Sequence, residues 1–369
     1  MKNLLFVIGT RPEAIKMAPI IIYLKKHYPL VKCNVCLTAQ HRSMLDDVLH
    51  FFSIEADYDL NLMKSNQQLS SLTADILLHL DTVYEAVKPD MVLVQGDTTT
   101  AMAGALSAFY RKITVVHVEA GLRSFDRYEP FPEEINRRMI GQIAGYHFCP
   151  TNKALKNLKK ESLAGEKYVV GNTVIDALVL AQKIMAEKEH LYKTRFSFVQ
   201  AHKRYLLVTI HRRENFGEPL ESIGKALEDI MTAYPDTEVI IPVHPNPNVK
   251  SFIENKFREH KQVHLLSPLP YDDLIWIMSK CFFVLTDSGG IQEEAPSLGK
   301  PVLVVRNVTE RMEGIEAGTA VLVGNKHDKI VNAMQLLLDS ELAYKAMTNI
   351  SNPYGDGKSS QRICEILIT

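Results

Sequence analysis

Two doubly wound α/β domains are the fold class this sequence predicts, and three observations carry that reading. Short apolar runs alternate with longer amphipathic segments from end to end. The runs are apolar throughout, as strands covered on both faces must be, where a half-exposed strand would alternate. The chain has 369 residues, about 2.5 times a nominal 150-residue domain. Strand–helix alternation then implies parallel sheets.

Taken in order, the apolar runs predict strands at Leu4–Ile8, Val31–Leu37, Met91–Val94, Ile113–Val118, Tyr146–Cys149 and Tyr168–Val170. Amphipathic segments between them predict helices at Ala14–His27, Leu69–Val87 and Thr98–Tyr110. The rhythm breaks at Gln182–Arg204, a stretch rich in Lys, Glu and Gln that reads as a solvated helix. It restarts with strands at Tyr205–Ile210, Val239–Val243, Val263–Leu266, Phe282–Thr286, Pro301–Val305 and Ala320–Val323. Helices are expected at Leu220–Tyr234, Asp272–Lys280 and Lys329–Leu338. The restart is not a sequence repeat. Two such domains facing each other place a cleft at the C-terminal ends of both sheets, where folds of this kind bind ligands.

Composition removes several classes. Lysine plus arginine number 42 and aspartate plus glutamate 43, a formal charge of −1, which argues against a nucleic-acid binder held by a basic face. The apolar run Leu4–Ile8 is too short for a signal-peptide core, and no run has the length to span a bilayer. Five scattered cysteines, an odd number, read as reduced thiols of a cytoplasmic protein. Cys33 and Cys36 form a C-x-x-C, but KCNVCLTA reads as a strand and not as the helix N-terminus a redox motif needs. No second cysteine pair and no H-x-x-x-H spacing supports a metal site.

The improbable residues follow the predicted strands, where function would lie. Gly9-Thr10-Arg11-Pro12-Glu13 follows the first strand, with Lys16 one turn on; Gln95-Gly96-Asp97-Thr98 and Glu119-Ala120-Gly121 follow two more, and Pro132-Glu133-Glu134 ends a long loop. In the second half these are His211-Arg212-Arg213, His244-Pro245-Asn246 and Asp287-Ser288-Gly289-Gly290. The bland readings are helix caps for Gly-Asp-Thr-Thr and for Asp-Ser-Gly-Gly and a structural His244. The acidic trio Asp97, Glu119 and Glu133 resists one, because buried carboxylates need partners. Arg11, Arg123, Arg137 and Lys16 are the candidates. No G-x-G-x-x-G follows the first strand and no G-x-x-x-x-G-K-[ST] occurs. A dinucleotide cofactor and an NTPase are therefore disfavoured.

Together the motifs resemble the non-hydrolysing UDP-N-acetylglucosamine 2-epimerases. The matching stretches include GTRPEAIKMAP (9–19), TAQHR (38–42), QGDTTT (95–100), HVEAGLRS (117–124), PEEINRR (132–138), GNTVIDAL (171–178), HRREN (211–215), PVHPNPNV (242–249), TDSGGIQEEAPSLGKPVL (286–303), TER (309–311) and NPYGDG (352–357). The resemblance implies the GT-B architecture of two Rossmann-like domains. The first would take residues 1–175 with a returning C-terminal helix, 357–369, and the second 176–356. It implies reversible conversion of UDP-N-acetylglucosamine to UDP-N-acetylmannosamine, for bacterial surface polysaccharide synthesis. The route is elimination of UDP to a bound 2-acetamidoglucal and re-addition, with no cofactor and no metal.

Carried over by the resemblance, Asp97, Glu119 and Glu133 match the family's acid/base carboxylates and His211 its active-site histidine; which carboxylate takes the proton stays open. Arg11, Lys16, Ser288, Gly289, Gly290, Glu294 and Arg311 match nucleotide-sugar contacts. Gln40, His41, Arg212 and His244 match a second site at which UDP-N-acetylglucosamine activates bacterial members, and a homodimer is expected. Met312 and the segment 125–131 depart from the commoner pattern. The rivals are a GT-B glycosyltransferase, a hydrolysing 2-epimerase and a nucleotide-sugar-binding regulator without turnover. Transfer to an acceptor, release of free N-acetylmannosamine or absence of turnover would mark each.

Overall fold

The computed structural model describes residues 2–38, 42–62 and 67–369. The chain forms two compact units, Met1–Leu180 with Tyr354–Thr369, and Ala181–Pro353. The first unit, among its described residues, has seven strands: β1 (Asn3–Ile8), β2 (Lys32–Leu37), β3 (Tyr58–Asp59), β4 (Met91–Gln95), β5 (Thr114–Val118), β6 (Tyr146–Cys149) and β7 (Glu166–Val169). They pair in parallel in the order β3-β2-β1-β4-β5-β6-β7. Leu4 to Ile8 are wholly buried, which is why this run carries no polar alternation. On one face Leu5, Val7, Val92 and Val94 join Ile76, Leu80, Ala101 and Ala105 in one core. The helix Thr99–Tyr110 lies close to the sheet because it is rich in small residues: a Cβ on Gly104 would lie 3.3 Å from Val7 Cγ1.

The C-terminal helix Ser359–Ile368 packs on the helix Arg11–His27. Asp176 caps it from far along the chain, accepting the N–H groups of Ser359 (3.2 Å) and Ser360 (2.7 Å). Both cysteines of the C-x-x-C lie on β2, and burial pushes their thiols up, Cys33 to about 11 and Cys36 to about 12. Such thiols are poor nucleophiles.

The second unit has β8 (Arg204–Thr209), β9 (Thr237–Pro242), β10 (Val263–Leu266), β11 (Phe283–Thr286), β12 (Val302–Val304) and β13 (Ala320–Leu322). Their order is β10-β9-β8-β11-β12-β13, again all parallel. Counted from its first strand, the second sheet therefore runs 3-2-1-4-5-6, the Rossmann order, and the first runs the same way with a seventh strand added at its edge. The fold class expected from the sequence is present twice.

One element differs from expectation. The helix predicted across 182–204 is two helices, Thr173–Glu187 and Glu189–Arg195, followed by irregular chain. Aromatic anchoring ends the second: Phe196 stacks on Trp276 at 5.4 Å and Phe198 on His264 at 4.1 Å, while Tyr205 donates its hydroxyl to the Phe198 carbonyl. Those ring contacts hold the backbone away from a helical path. No described helix is long and apolar enough to cross a membrane.

Candidate active site

In each sheet the strand order reverses at one point, between β1 and β4 and between β8 and β11. A crevice outside the strand ends forms there, and it is where such sheets bind ligands. The improbable loops of the sequence leave these strands and their neighbours.

In the first unit, Gly9 ends β1 where no side chain fits: its Cβ would lie 2.1 Å from Thr100 Oγ1 and 2.6 Å from Thr38 Oγ1. After β5, Glu119 is 9% exposed and holds a left-handed backbone, φ 65°. Its Oε2 accepts from Lys16 Nζ at 2.5 Å and from Gln95 Nε2 at 2.5 Å. Both donors reach the same oxygen. A non-glycine residue at positive φ is uncommon and marks either strain or function.

After β4, Gly96 turns the chain at φ 69°. Its carbonyl accepts from His117 Nε2 at 2.7 Å, and burial pushes that histidine down to about 3. His117 is therefore a neutral support at ordinary pH. Asp97 is gripped twice by the helix Glu133–Ile143: its Oδ2 pairs with Arg137 Nη2 at 2.7 Å, and its carbonyl accepts from Asn136 Nδ2 at 2.9 Å. Thr98, not Asp97, caps the next helix, accepting from Ala101 N at 3.0 Å. The cap reading of Gly-Asp-Thr-Thr thus belongs to Thr98 and leaves the aspartate for other work.

The two adjacent glutamates have different tasks. Glu134 is buried and accepts from Ser124 N (2.9 Å) and Arg138 Nε (2.9 Å), with Arg137 Nη1 at 3.4 Å. Glu133, half-buried at the first turn, pairs with nothing among the described residues. Of the four cations considered as partners for the trio, Lys16 pairs with Glu119 and Arg137 with Asp97. Arg123 pairs elsewhere: its fully buried guanidinium clasps Glu161 at 2.6 and 2.8 Å, and bidentate geometry satisfies it there. Arg11 opens its helix, half-buried.

In the second unit the organiser is Asp287, to which the sequence reading gave no role beyond a helix cap. It is fully buried and accepts from His211 N (3.0 Å), Arg212 N (2.9 Å) and Asn215 Nδ2 (3.0 Å). Its Oδ1 also lies 2.9 Å from His211 Nδ1. Burial opposes the charge, but the His211 contacts and these donors hold its carboxyl below the usual range. The pairing fixes the proton on Nδ1 and leaves Nε2 outside the contact, as in an imidazole oriented by a carboxylate. The signal was in the sequence, in an aspartate directly after a strand that neighbours the His211 strand.

His244 stacks on His211 at 5.7 Å and accepts from Asn246 N at 3.2 Å through Nδ1. Burial, then the neighbouring His211, lowers its pKa. Ser288, Gly289 and Gly290 open the short helix Gly289–Glu294. The Arg311 guanidinium lies over Gly289, whose Cβ would be 3.5 Å from Arg311 Cζ, and open space lies above Gly290. Arg311 Nε donates to Glu293 at 2.8 Å, and Glu310 lies 3.4 Å from Arg311 and 3.8 Å from Arg212. Against the cost of burial, Arg311 and Arg306 hold the Glu310 carboxyl at about 2. Glu294 is buried in the same helix. Gln40 and His41 lie outside the described residues. The described residues contain no cluster of three metal-ligating side chains.

The arrangement offers separately held carboxylates in one unit, and an oriented imidazole and Arg311 over Gly289 in the other. A family model described as UDP-N-acetylglucosamine 2-epimerase matches residues 24–368. The chain is 48% identical to the UDP-N-acetylglucosamine 2-epimerase of Neisseria meningitidis serogroup A, over 99% of both. It is also 48% identical to that of Escherichia coli K12, over 99% of this chain and 98% of the relative. The crystal structure of the N. meningitidis UDP-GlcNAc 2-epimerase bound to UDP-GlcNAc superposes with TM-score 0.93 at 47% identity, over 99% of both chains. That of Methanocaldococcus jannaschii, in complex with UDP-GlcNAc and UDP, does so with TM-score 0.84 at 37% identity, over 99% of both. The likeness covers 99% of the chain and so both units, and the chain belongs to the UDP-N-acetylglucosamine 2-epimerase family.

Proposed function

We propose that the chain interconverts UDP-N-acetylglucosamine and UDP-N-acetylmannosamine, without net hydrolysis, by eliminating and re-adding UDP. The observation that carries this reading is the set of three carboxylates, each in a different setting: Asp97 against Arg137, Glu119 against Lys16 and Gln95, and Glu133 uncommitted.

The chemistry asks for such a set. The hydrogen at sugar C2 is not next to a carbonyl, so simple deprotonation is closed. Elimination breaks C2–H and C1–O together: the proton goes to a carboxylate, the electron pair forms C1=C2, and UDP departs with the C1–O pair. Re-addition forms C1–O again and delivers a proton to the opposite face of C2. One carboxylate to take the proton and another to give it on the other face are the minimum. Asp97, Glu119 and Glu133 fill these roles. His211, oriented by Asp287, and Arg311 beside Gly289 and Gly290 suit the departing diphosphate. Arg11, Lys16, Ser288 and Glu294 complete the nucleotide-sugar contacts.

The same reading extends to a cytoplasmic homodimer activated by a second UDP-N-acetylglucosamine through Arg212 and His244, together with Gln40 and His41. Sigmoid dependence of rate on substrate, and light scattering, check those points. In D2O the reaction should place deuterium at C2 of both epimers and approach a stable two-epimer mixture. Epimer formation with no C2 label sinks the elimination route, and free N-acetylmannosamine as the end product marks a hydrolase. Asp97→Asn, Glu119→Gln and Glu133→Gln should each cut turnover at least about 10²-fold.

A further inference from the structure

One buried carboxylate in the first unit has no part in the reaction outlined above. Glu13, the third residue of the helix Arg11–His27, is wholly buried. Its Oε2 accepts the N–H groups of Gly9 (2.9 Å) and Thr10 (2.6 Å), and its Oε1 accepts the Thr98 hydroxyl at 2.6 Å. The Thr98 hydroxyl in turn accepts from Ala101 N, capping the helix Thr99–Tyr110. A continuous chain of hydrogen bonds thus joins the loop after β1 to the loop after β4.

Capping explains only half of this. A capping glutamate needs one oxygen on its own helix end; the second oxygen of Glu13 is spent on another element. All three donors are neutral, so the carboxylate is buried with no counter-ion among them, and burial raises its acid to about 7. An uncharged side chain would close the same turn at lower cost. A costly group kept in this place points to something other than folding.

Its neighbours indicate what. Thr98 is the residue after Asp97, whose other anchors, Arg137 and Asn136, come from the helix Glu133–Ile143. Lys16 is one turn beyond Glu13 on the same helix and donates to Glu119. A slip of that helix end moves Lys16, and a slip of Thr98 moves Asp97.

We propose that Glu13 is a positioning residue that sets Asp97 and Glu119 relative to one another by clamping the Gly9–Thr10 turn to Thr98. The proposal rests on the epimerase reading given above. Glutamine keeps the shape and can face its oxygen to Gly9 and Thr10, but it presents an amide donor where Thr98 needs an acceptor. Glu13→Gln should therefore lower kcat about 10- to 100-fold, the scale of a misplaced reacting group, with KM within about twofold and a melting temperature at pH 7.5 no lower than wild type. Thr98→Ser, which keeps the hydroxyl, should retain turnover. Thr98→Val should match Glu13→Gln, and the double variant should be no worse than the weaker single, because both break one clamp.

Wild-type kcat in Glu13→Gln, a loss confined to KM, or additive losses in the double variant overturn the proposal. If Glu13→Gln does not fold, the Thr98→Ser and Thr98→Val pair decides, and equal kcat in the two overturns it. Wild-type protein that fails to interconvert the epimers in D2O removes the epimerase reading and this proposal with it. Active wild type with an indifferent Glu13→Gln removes this proposal alone.

Discussion

Lys16 and Glu119 offer a test in which stability and activity should part. The pair lies at 2.5 Å with side chains 11% and 6% exposed. At an effective dielectric near 20 the attraction is about 7 kcal/mol, and desolvating the two ions takes back most of it. Removing one partner is a different matter. Lys16→Met keeps the aliphatic stem but leaves Glu119 buried with only the Gln95 amide donating to it. That should cost about 3–5 kcal/mol, as for other broken buried pairs. Glu119→Gln in the Met background removes the stranded charge, so Lys16→Met/Glu119→Gln should return to within about 1 kcal/mol of wild type. The assay is urea denaturation at pH 7.5 followed by far-UV circular dichroism. Trp276, the single tryptophan, lies in the second unit, so its fluorescence transition should stay put as an internal control. Both variants, and Glu119→Gln alone, should remain at least about 10²-fold slow. Additive losses in the double variant, or a Lys16→Met penalty below about 1 kcal/mol, would refute the reasoning.

Other outcomes follow from single contacts. Asp287→Asn should turn a donor toward His211 Nδ1, move the imidazole proton to Nε2 and cut kcat about 10²- to 10⁴-fold; an unchanged rate removes His211 from the reaction. Asp176→Ala strands two N–H groups at the start of the C-terminal helix, and should cost the first unit about 2–4 kcal/mol in denaturant and open 355–358 to proteases. Glu13 gives a pH signature. Its folded pKa, about 7, exceeds the ordinary 4.5, so its contribution is full below 4.5 and lost as pH rises through 7. Between pH 4.5 and 8 wild type should lose about 3 kcal/mol relative to Glu13→Gln; parallel curves would contradict the raised pKa.

Where burial alone sets the pattern, the fold was legible. Leu4–Ile8 and Phe283–Thr286 are apolar because helices cover both their faces, and the helix Leu69–Val87 lies where its periodicity put it. The two-residue β3 and the helix Pro247–Phe257 went unseen, since short or weakly periodic segments are chosen by what they pack against. The site divides the same way. Asp97, Glu119 and His211 stood out as polar residues at the ends of apolar strands. Their holders did not, because each sits far off in sequence: Arg137 is 40 positions from Asp97, and Asp287 is 76 from His211. Arg123 was a plausible partner by composition, yet it faces Glu161, and only three-dimensional placement separates the two cases.

The left-handed backbone at Glu119 has an evolutionary consequence. Glycine and asparagine adopt that conformation at a cost lower by about 1 kcal/mol, and neither would carry a buried charge there. A random library at this position, sorted only for expression and heat resistance, should therefore be enriched in those two residues and emptied of acid. Sorted for turnover, it should return glutamate. Position 119 is where robustness and activity would select opposite genes.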